Sequence, residues 1–196
     1  IAKQPKGLVK DLSKKDLFSL SVPDIAEYPS SNELRSIIED ADHNIWVGSK
    51  NGDIQVYDSN KRFIGFLNST GRLSRQVENF DAVYALLQDQ KGKYMDRTRN
   101  KGLIKLIPNG KLNYQLKYYK NDPADKFSLS CNSIFSLKED KQAERIGTLG
   151  GGINYTDRDG HFIHPGNELS DYPTRFLRIK NICIDHQSNI WLATTS

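Results

Sequence analysis

Residues 32–58 read NELRSIIEDADHNIWVGSKNGDIQVYD, and residues 185–196 read DHQSNIWLATTS, so one pattern occurs both early and late in the chain. It returns twice in between, as DQKGKYMDRTRNKGLIKLI from residue 89 and as DKQAERIGTLGGGINYTD from residue 140. Each stretch contains an aspartate at the same place in the pattern, namely Asp40, Asp89, Asp140 and Asp185. Consecutive aspartates stand 49, 51 and 45 residues apart. A period of this length indicates a repeat architecture, so the repeat decides the fold.

Each repeat is predicted to fold into four short antiparallel strands. In the first full unit, polar turn-forming stretches separate strand candidates at 34–39, 45–49, 54–57 and 62–67. A four-stranded unit of about 45–50 residues matches one blade of a β-propeller. We therefore predict an all-β fold, a β-propeller segment of about four blades, each a four-stranded antiparallel sheet. The predicted divisions are a partial blade at 1–31, blades at 32–80, 81–131 and 132–177, and a partial blade at 178–196.

Apolar residues on both faces of the predicted strands support stacked blades. After Gly102, the consecutive residues Leu103 and Ile104 face opposite sides of one strand, as do Leu106 and Ile107. A sheet with one wet face would alternate apolar and polar residues instead. We favour a segment of a larger propeller. Dimerisation of the segment, or closure of a small ring by its two partial blades, stays open.

The composition argues against several classes of function. The chain has 196 residues, 37% of them hydrophobic, and a net charge of +4. Its Lys and Arg residues are scattered and form no stripe typical of nucleic-acid surfaces, so no nucleic-acid partner is predicted. No run approaches the roughly 18 apolar residues of a membrane helix. Cys131 and Cys183 lack metal-ligand spacing, and two buried free thiols are favoured over a disulfide. No metal and no cofactor is predicted.

The repeat resembles a known family, the two-component regulator propeller repeat. That pattern runs approximately N-x-V-x-x-I-x-x-D-x-x-G-x-[IL]-W-[IV]-G-T-x-x-G-G-L. The first unit matches it, wholly or nearly, at Asn32, Leu34, Ile37, Asp40, Trp46, Val47, Gly48, Gly52 and Ile54. The third unit carries the G-T-x-x-G-G-L part at Gly147, Thr148, Gly151, Gly152 and Ile153. The last carries the D-x-x-x-x-I-W part at Asp185, Ile190 and Trp191.

The resemblance implies a sensory role. In that family, propellers of these repeats lie outside the inner membrane, followed by a β-sandwich domain, a membrane helix, a histidine kinase and often a response regulator. Many members resemble regulators of polysaccharide-use gene clusters, for which the input is an oligosaccharide. The resemblance therefore implies a periplasmic region of an inner-membrane protein, a histidine kinase in the full-length protein and an oligosaccharide ligand.

Two units depart from the family pattern. The second has Met95, Asp96 and Arg97 where the pattern has Trp, a branched residue and Gly, and the third has Arg145 at the Trp position. An aspartate inside a strand core is costly unless it is paired or exposed. We therefore expect an irregular second blade, or a strand that lies near a sheet edge.

Two motifs that could suggest chemistry are interpreted as structural. The stretch GTLGGG at 147–152 lacks the following Lys-Ser/Thr and the helix of a phosphate-binding loop, so we predict a turn. In HFIH, a spacing of three puts His161 and His164 on opposite faces of a strand, which is poor geometry for one metal ion.

The recurring Asp and Trp residues are also interpreted as structural. Glu39 and Glu139 precede repeat aspartates and could form carboxylate pairs with them, but the other units have no acidic residue at this position. Only the aspartate recurs, so we interpret it as a turn cap. The repeated Trp at a strand centre favours packing between blades over ligand stacking. The positions predicted to maintain the repeat are Asp40, Trp46, Gly48, Gly52, Asp89, Gly102, Asp140, Gly147, Gly152, Asp185 and Trp191.

Ligand-binding residues are expected in the long connections between units, at 68–81, 119–132 and 164–176. A sugar site needs an aromatic platform with polar side chains nearby. On composition alone, the candidates are Tyr119, Asn121, Tyr172 and Arg175, and a plain connecting loop is the alternative for each.

The sequence thus favours a ligand-sensing, non-catalytic propeller region that contacts neighbouring blades or domains of the same protein, with a homodimer contact left open. One alternative is a propeller-fold carbohydrate-active enzyme, a lyase or a glycosidase. Such an enzyme would gather a carboxylate pair or a His/Tyr/Arg cluster on one face, and the sequence confines no such set to one unit. The second alternative is an interaction scaffold that senses nothing.

Overall fold

The structure is a computed structural model of the chain. It describes residues 8–10, 19–21, 33–50, 52–78, 83, 85–89, 94–97, 101–140, 143–164 and 177–195. These residues form strands and turns, and none of them belongs to a helix with the length and apolar character of a membrane span.

The described residues form short strands whose bounds follow the repeat. They are β1 (Leu8–Lys10), β2 (Ser19–Ser21), β3 (Leu34–Glu39), β4 (Ile45–Ser49), β5 (Ile54–Tyr57), β6 (Phe63–Leu67), β7 (Leu73–Ser74), β8 (Ala85–Gln88), β9 (Tyr94–Arg97), β10 (Leu103–Pro108), β11 (Tyr114–Tyr119), β12 (Ile134–Glu139), β13 (Glu144–Thr148), β14 (Ile153–Thr156), β15 (Phe162–Ile163), β16 (Ile179–Ile184) and β17 (Ile190–Thr194).

Consecutive strands pair antiparallel in five sheets within the described ranges. Sheet I is β1–β2, sheet II is β3 to β7, sheet III is β8 to β11, sheet IV is β12 to β15, and sheet V is β16–β17. Each sheet is therefore a simple meander, which confirms the predicted all-β class with four-stranded antiparallel units. Sheet II carries a fifth strand, β7, that the sequence pattern did not predict.

The repeat aspartate closes the turn between the first two strands of a sheet. In sheet II, Asp40 Oδ1 accepts the backbone amides of Asp42 and Asn44 at 2.9 and 2.8 Å. The backbone of His43 is in the left-handed region, with φ of 62°. A hairpin loop that ends in a β-bulge requires this conformation at its last position. Sheet V builds the same turn, in which Asp185 Oδ1 accepts the amides of Gln187 and Asn189. The carboxylate thus supplies acceptors for the backbone amides that the tight turn leaves unpaired.

The second oxygen of the same carboxylate binds the side chain six residues further on. Asp40 Oδ2 accepts the indole Nε1–H of Trp46 at 2.8 Å, and Trp46 is fully buried. Where Arg145 replaces the Trp, its Nε and Nη2 donate to Asp140 Oδ2 at 3.0 and 2.8 Å. The guanidinium therefore preserves the link between turn and strand that the indole makes in sheet II.

Adjacent sheets pack face to face through apolar side chains. Trp46 of sheet II meets the ring of Tyr114 of sheet III edge-on, with centroids 5.4 Å apart. The core between these two sheets comprises Trp46, Ile54, Val56, Leu67, Val83, Leu86, Ile104, Leu106 and Tyr114. A second core, between sheets III and IV, comprises Leu103, Leu129, Ile134, Leu137, Ile146 and Phe162. Sheet III thus buries both faces, as the apolar pairs Leu103–Ile104 and Leu106–Ile107 of β10 predict.

A glycine in the second strand lets the next sheet approach the backbone. A Cβ added to Gly48 would lie 2.2 Å from Cγ1 of Val83, which leads into sheet III. A Cβ added to Gly147 would lie 2.7 Å from Cγ2 of Ile179 in sheet V. Val83 and Ile179 are both fully buried by this contact. The Gly of the repeat signature is therefore required by packing between sheets.

Two expectations from the sequence need correction. Strand β9, which contains Asp96, lies between β8 and β10, so it is not near an edge of its sheet. Cys131 and Cys183 are both free thiols, but Cys183 is exposed, so the expected burial is wrong for that residue. Its strand, β16, turns successive side chains to opposite faces, and only one face packs against sheet IV.

We predict that Gly48→Ala lowers the free energy of unfolding by about 1–3 kcal/mol, because the new methyl group overpacks the contact with Val83. Urea denaturation measures the change. In the double variant Gly48→Ala/Val83→Ala the overlap with Val83 Cγ1 is removed, whereas the contacts with Ser36 Oγ at 2.5 Å and with the Cβ of residue 83 at 2.8 Å remain. The loss should therefore be smaller than the sum of the two single losses. Strictly additive losses would contradict this contact as the reason for the glycine.

We also predict that Asp40→Ala destabilises the chain by about 2–3 kcal/mol, because it leaves the buried indole N–H of Trp46 without its acceptor. Asp185→Ala is the matched control, since it removes the same hydrogen bonds around Trp191, whose side chain is 63% exposed. Water replaces the lost acceptor there, so the second loss should be clearly smaller. Equal shifts in the urea midpoint of the two variants would refute this account.

Candidate ligand-binding site

Two adjacent cavities lie between sheets III and IV. The first has a volume of about 350 Å³, and we call it the charged cleft because its walls carry Lys105, Lys117, Glu144, Asp157, Arg158 and Asp159. The second has a volume of about 280 Å³, and we call it the aromatic groove. Its walls carry Tyr118, Tyr119, Asp122, Asp125, Phe127 and His161. Tyr119, Gly160 and Phe162 line both cavities, so they form a shared wall.

The shared wall lies at the outermost strands of the two sheets. Tyr119 ends β11, the last strand of sheet III, and Phe162 begins β15, the last strand of sheet IV. Their rings meet edge-on with centroids 5.2 Å apart. The Nζ of Lys117 lies 4.9 Å from the Tyr119 ring centroid, because residues two apart on a strand share a face.

The aromatic groove is shaped by the connection between the two sheets. The amide of Phe162 donates to the carbonyl of Phe127 at 2.9 Å, so this connection adds to the edge of sheet IV. The Phe127 ring stacks on the imidazole of His161, with centroids 4.7 Å apart and 26° between planes. Tyr118 also lines this groove, but it pairs with Ile104, so its side chain lies on the face of sheet III that packs toward sheet II.

Two aspartates of this connection cap its turns and also line the groove. Asp122 Oδ1 accepts the amide of Ala124, and Asp125 Oδ1 accepts the amide of Phe127, both at 2.9 Å. Within the described ranges no hydrogen bond engages the other oxygen of either carboxylate. The groove therefore combines aromatic rings with two acceptors that are held by the backbone.

The floor of the charged cleft contains an ion cluster that joins the two sheets. Lys105 Nζ of sheet III lies 2.5 Å from Glu144 Oε1 of sheet IV and 3.8 Å from Asp89 Oδ2. The three side chains are 15%, 11% and 3% exposed in that order. The charges of Lys105 and Glu144 are therefore largely committed to each other.

A second polar cluster occupies the turn before β15. Burial acts to raise the pKa of Asp157, but hydrogen bonds from His161 and Asp159 outweigh it and leave that pKa below its usual value. Possible ligand atoms of Asp157, Asp159 and His161 lie within 4.8 Å of one another, so these residues could hold a metal ion. The Asp157 carboxylate is already engaged by two turn amides and by His161 Nδ1, so the turn itself accounts for the cluster.

The ligand-binding candidates proposed from the sequence have different roles in the structure. Tyr119 lines both cavities. The neighbouring candidate Asn121 turns inward, where its Nδ2 donates to the Leu129 carbonyl at 2.6 Å and its amide donates to Asn132 Oδ1 at 2.7 Å. Asn121 therefore fixes the connection. Tyr172 and Arg175 lie outside the described residues.

Sequence reasoning missed Tyr118, Phe127 and His161 in the groove, and Lys117 and Arg158 in the cleft. The alternation of β11 could have identified Lys117 as a neighbour of Tyr119 on the same face. Phe127 and His161 come together only through the tertiary pairing of the connection with β15, for which the sequence carries no local signal.

A larger cavity of about 800 Å³ opens between sheets II and III, at the end that carries the aspartate turns. Its rim includes Asp42, Asp58 and Lys111. The aromatic ring in its wall, Tyr114, is only 6% exposed because it packs on Trp46. This cavity therefore offers little aromatic surface to a ligand, unlike the groove beside Tyr119.

Comparison with known proteins matches one repeat of the chain to a family model. Residues 28–51 match the family model described as a two component regulator propeller, which confirms the resemblance proposed from the repeat. No curated protein matches the chain.

Solved structures share the fold at low sequence identity. The extracellular domain assigned to the hybrid two component system BT3049 from B. thetaiotaomicron is 16% identical, with a TM-score of 0.64 over 84% of this chain and 22% of that one. The corresponding domain of BT4673 is 18% identical, with a TM-score of 0.55 over 89% and 27%. The computationally designed Ika4 protein is 11% identical, with a TM-score of 0.52 over 86% and 94%. These likenesses confirm the propeller fold, and the chain spans about a quarter of the two sensor domains.

We predict that Lys105→Met lowers the free energy of unfolding by about 3 kcal/mol, because Glu144 and Asp89 remain largely buried without their shared cation. The double variant Lys105→Met/Glu144→Leu should be more stable than the single variant, since it replaces most of the cluster with apolar contacts. Urea denaturation of both proteins tests this. A double variant no more stable than Lys105→Met would contradict the ion pair between the sheets.

Proposed function

We propose that this chain is a ligand-sensing propeller region of a hybrid two-component sensor, that it lies on the outer side of the inner membrane, and that its input is an oligosaccharide. The observation that carries the proposal is the aromatic groove, whose walls combine the rings of Tyr119 and Phe127 with the carboxylates of Asp122 and Asp125. The match of residues 28–51 to the regulator propeller family supports the sensory role.

The groove suits the chemistry of a sugar ring. A pyranose has an apolar C–H face that packs on aromatic rings, and hydroxyl groups that donate to carboxylates. Tyr119 and Phe127 supply the first kind of surface, and the uncommitted oxygens of Asp122 and Asp125 supply acceptors. Few ligand classes need both kinds of group together, which is why we favour a saccharide.

The position of the groove suggests how binding would be transmitted. Tyr119 belongs to sheet III and Phe162 to sheet IV, so a ligand that contacts both bridges two sheets. Such a ligand favours the arrangement in which the sheets are correctly spaced, by as much as its affinity differs between arrangements. In the proposed sensor, that change in packing passes to a membrane helix and a histidine kinase elsewhere in the protein.

The proposed location rests on the relatives. The solved domains that share this fold, assigned to BT3049 and BT4673, are extracellular domains of two component systems. An extracellular or periplasmic position would expose the groove to polysaccharide fragments before they enter the cell.

We predict that a panel of plant and host oligosaccharides contains members that raise the melting temperature of the chain and give a binding isotherm by calorimetry. Phe127→Ala should then weaken binding about tenfold, which corresponds to about 1.4 kcal/mol of lost contact. Trp191→Ala is the control, because it removes an exposed aromatic ring in sheet V, away from the groove. Tyr172→Ala and Arg175→Ala test the two remaining sequence candidates in the same assay.

The alternatives give different outcomes in the same experiment. Shortened saccharides detected by chromatography would replace the sensor proposal with a carbohydrate-active enzyme. Absence of any stabilisation across the panel would favour an interaction scaffold. Equal affinity of the Phe127→Ala variant and the unaltered chain would contradict a ligand in the aromatic groove.

A further inference from the structure

We infer that His161 determines the specificity of the aromatic groove. Its Nε2 accepts a hydrogen bond from a hydroxyl group of the bound saccharide, and Asp157 is the positioning residue that holds the imidazole in the tautomer required for this contact. The inference rests on the proposed function and specifies the ligand further, as a saccharide with a free hydroxyl group where it meets His161.

The imidazole of His161 is held from two directions. Its Nδ1 lies 3.0 Å from Asp157 Oδ2, and its ring stacks on the ring of Phe127 with 26° between the planes. The first contact fixes which edge of the imidazole faces the turn, and the second fixes the plane of the ring. A side chain held in this way loses little conformational freedom when a ligand binds.

The turn itself does not need this imidazole. The equivalent turn of sheet II, between β5 and β6, has Arg62 in place of His161, and Asp58 Oδ1 accepts the amides of the second and fourth residues after it, both at 2.9 Å. Asp157 Oδ1 accepts the equivalent amides at 2.9 and 2.8 Å. Within the described ranges no hydrogen bond or ion pair joins the side chains of Arg62 and Asp58, so backbone amides are enough to close the turn.

The second nitrogen of the ring is the polar atom that His161 offers to the groove. The His161 side chain is 47% exposed and lines the aromatic groove, whereas Asp157 lines the charged cleft. The edge with Nδ1 is turned toward Asp157, and among the residues that the structure describes no hydrogen bond engages Nε2. This atom is therefore left for a ligand.

The proton on Nδ1 decides what Nε2 can do. Burial acts to raise the pKa of Asp157, but the hydrogen bonds that its carboxylate accepts leave that pKa below its usual value, so the group is ionised near neutral pH. An ionised carboxylate only accepts hydrogen bonds. The proton of a neutral His161 must therefore lie on Nδ1, which leaves Nε2 as an acceptor.

The groove as a whole favours groups that donate hydrogen bonds. His161 Nε2 joins the free carboxylate oxygens of Asp122 and Asp125 as an acceptor. Among the described residues that line the groove, Lys120 is the only cation. A saccharide hydroxyl can donate to each of the three acceptors, whereas the oxygen of a methyl ether has no proton to donate. The groove should therefore distinguish a saccharide from its methyl ether.

The tautomer can be measured without a ligand. In the isotopically labelled intact chain at about pH 8, where an ordinary imidazole is neutral, proton–nitrogen correlation spectra should place the proton of His161 on Nδ1. In Asp157→Asn it should move to Nε2. The turn amides hold the carbonyl oxygen of the new amide at the Oδ1 position, so its NH2 group faces Nδ1. A proton on Nε2 in the unaltered chain would overturn the inference.

Calorimetry with maltotetraose, cellotetraose, xylotetraose and mannotetraose, in the presence of a chelator, tests the contact itself. His161→Phe keeps a ring that stacks on Phe127 and should weaken binding about three- to tenfold, as expected for one lost hydrogen bond. His161→Gln, which keeps an acceptor, should recover part of this loss. His186→Phe is the matched control, because His186 is an exposed turn histidine of sheet V that does not line the groove. Urea denaturation verifies that each variant folds.

Mono-O-methyl derivatives of the tightest binder test the selection for a donor. At least one derivative should bind the unaltered chain more weakly than its parent, and Asp157→Asn should narrow that difference, because Nε2–H can donate to an ether oxygen. The comparison between the two proteins cancels the steric effect of the added methyl group.

The outcomes separate this inference from the proposed function. Equal affinity of His161→Phe and the unaltered chain, or the same discrimination against methyl ethers in Asp157→Asn, would overturn the role of His161 and leave the sensor proposal standing. Failure of all four tetrasaccharides to bind would also overturn it. Failure of the whole panel of plant and host oligosaccharides would overturn the proposed function as well.

Discussion

The fold depends on the close approach of one sheet to the next at a residue without a side chain, between sheets II and III and between sheets IV and V. Gly48 and Gly147 occupy equivalent places in their second strands, and each receives a β-branched residue, Val83 or Ile179, that leads into or begins the following sheet. Sheet III has Arg97 at the equivalent place in its second strand. Sheets III and IV, which enclose the charged cleft and the aromatic groove, are joined instead by the ion pair of Lys105 with Glu144 and by the apolar core around Leu103.

The aspartate of each repeat performs a second task, which is to tie the turn to the strand that follows. Its carboxylate has four acceptor positions, and the turn amides use only some of them. The remaining oxygen binds whichever donor the strand provides, the indole of Trp46 or the guanidinium of Arg145. Repeats can therefore lose the aromatic residue of the family pattern and keep the geometry of the blade.

The sequence predicted those parts of the structure that are encoded locally. The strands of sheet II follow from the alternation of apolar stretches with turn residues, and the Asp40 turn follows from a short polar segment. The groove could not be predicted in the same way, because Phe127 reaches His161 only after its carbonyl pairs with the amide of Phe162. Asn121 shows the same limit, since an amide that suits sugar binding by composition is used to hold the backbone of its own connection.

Burial of the two tryptophans differs completely, although both make the same hydrogen bond to a turn aspartate. Trp46 is shielded from water, whereas Trp191 is 63% exposed. Because an indole in water emits at longer wavelength than one in an apolar core, the fluorescence of this chain contains two separable components. A soluble quencher such as acrylamide would reduce the red-shifted emission of Trp191 before that of Trp46. The two signals therefore report separately on sheet V and on the interior of sheet II, without any added dye.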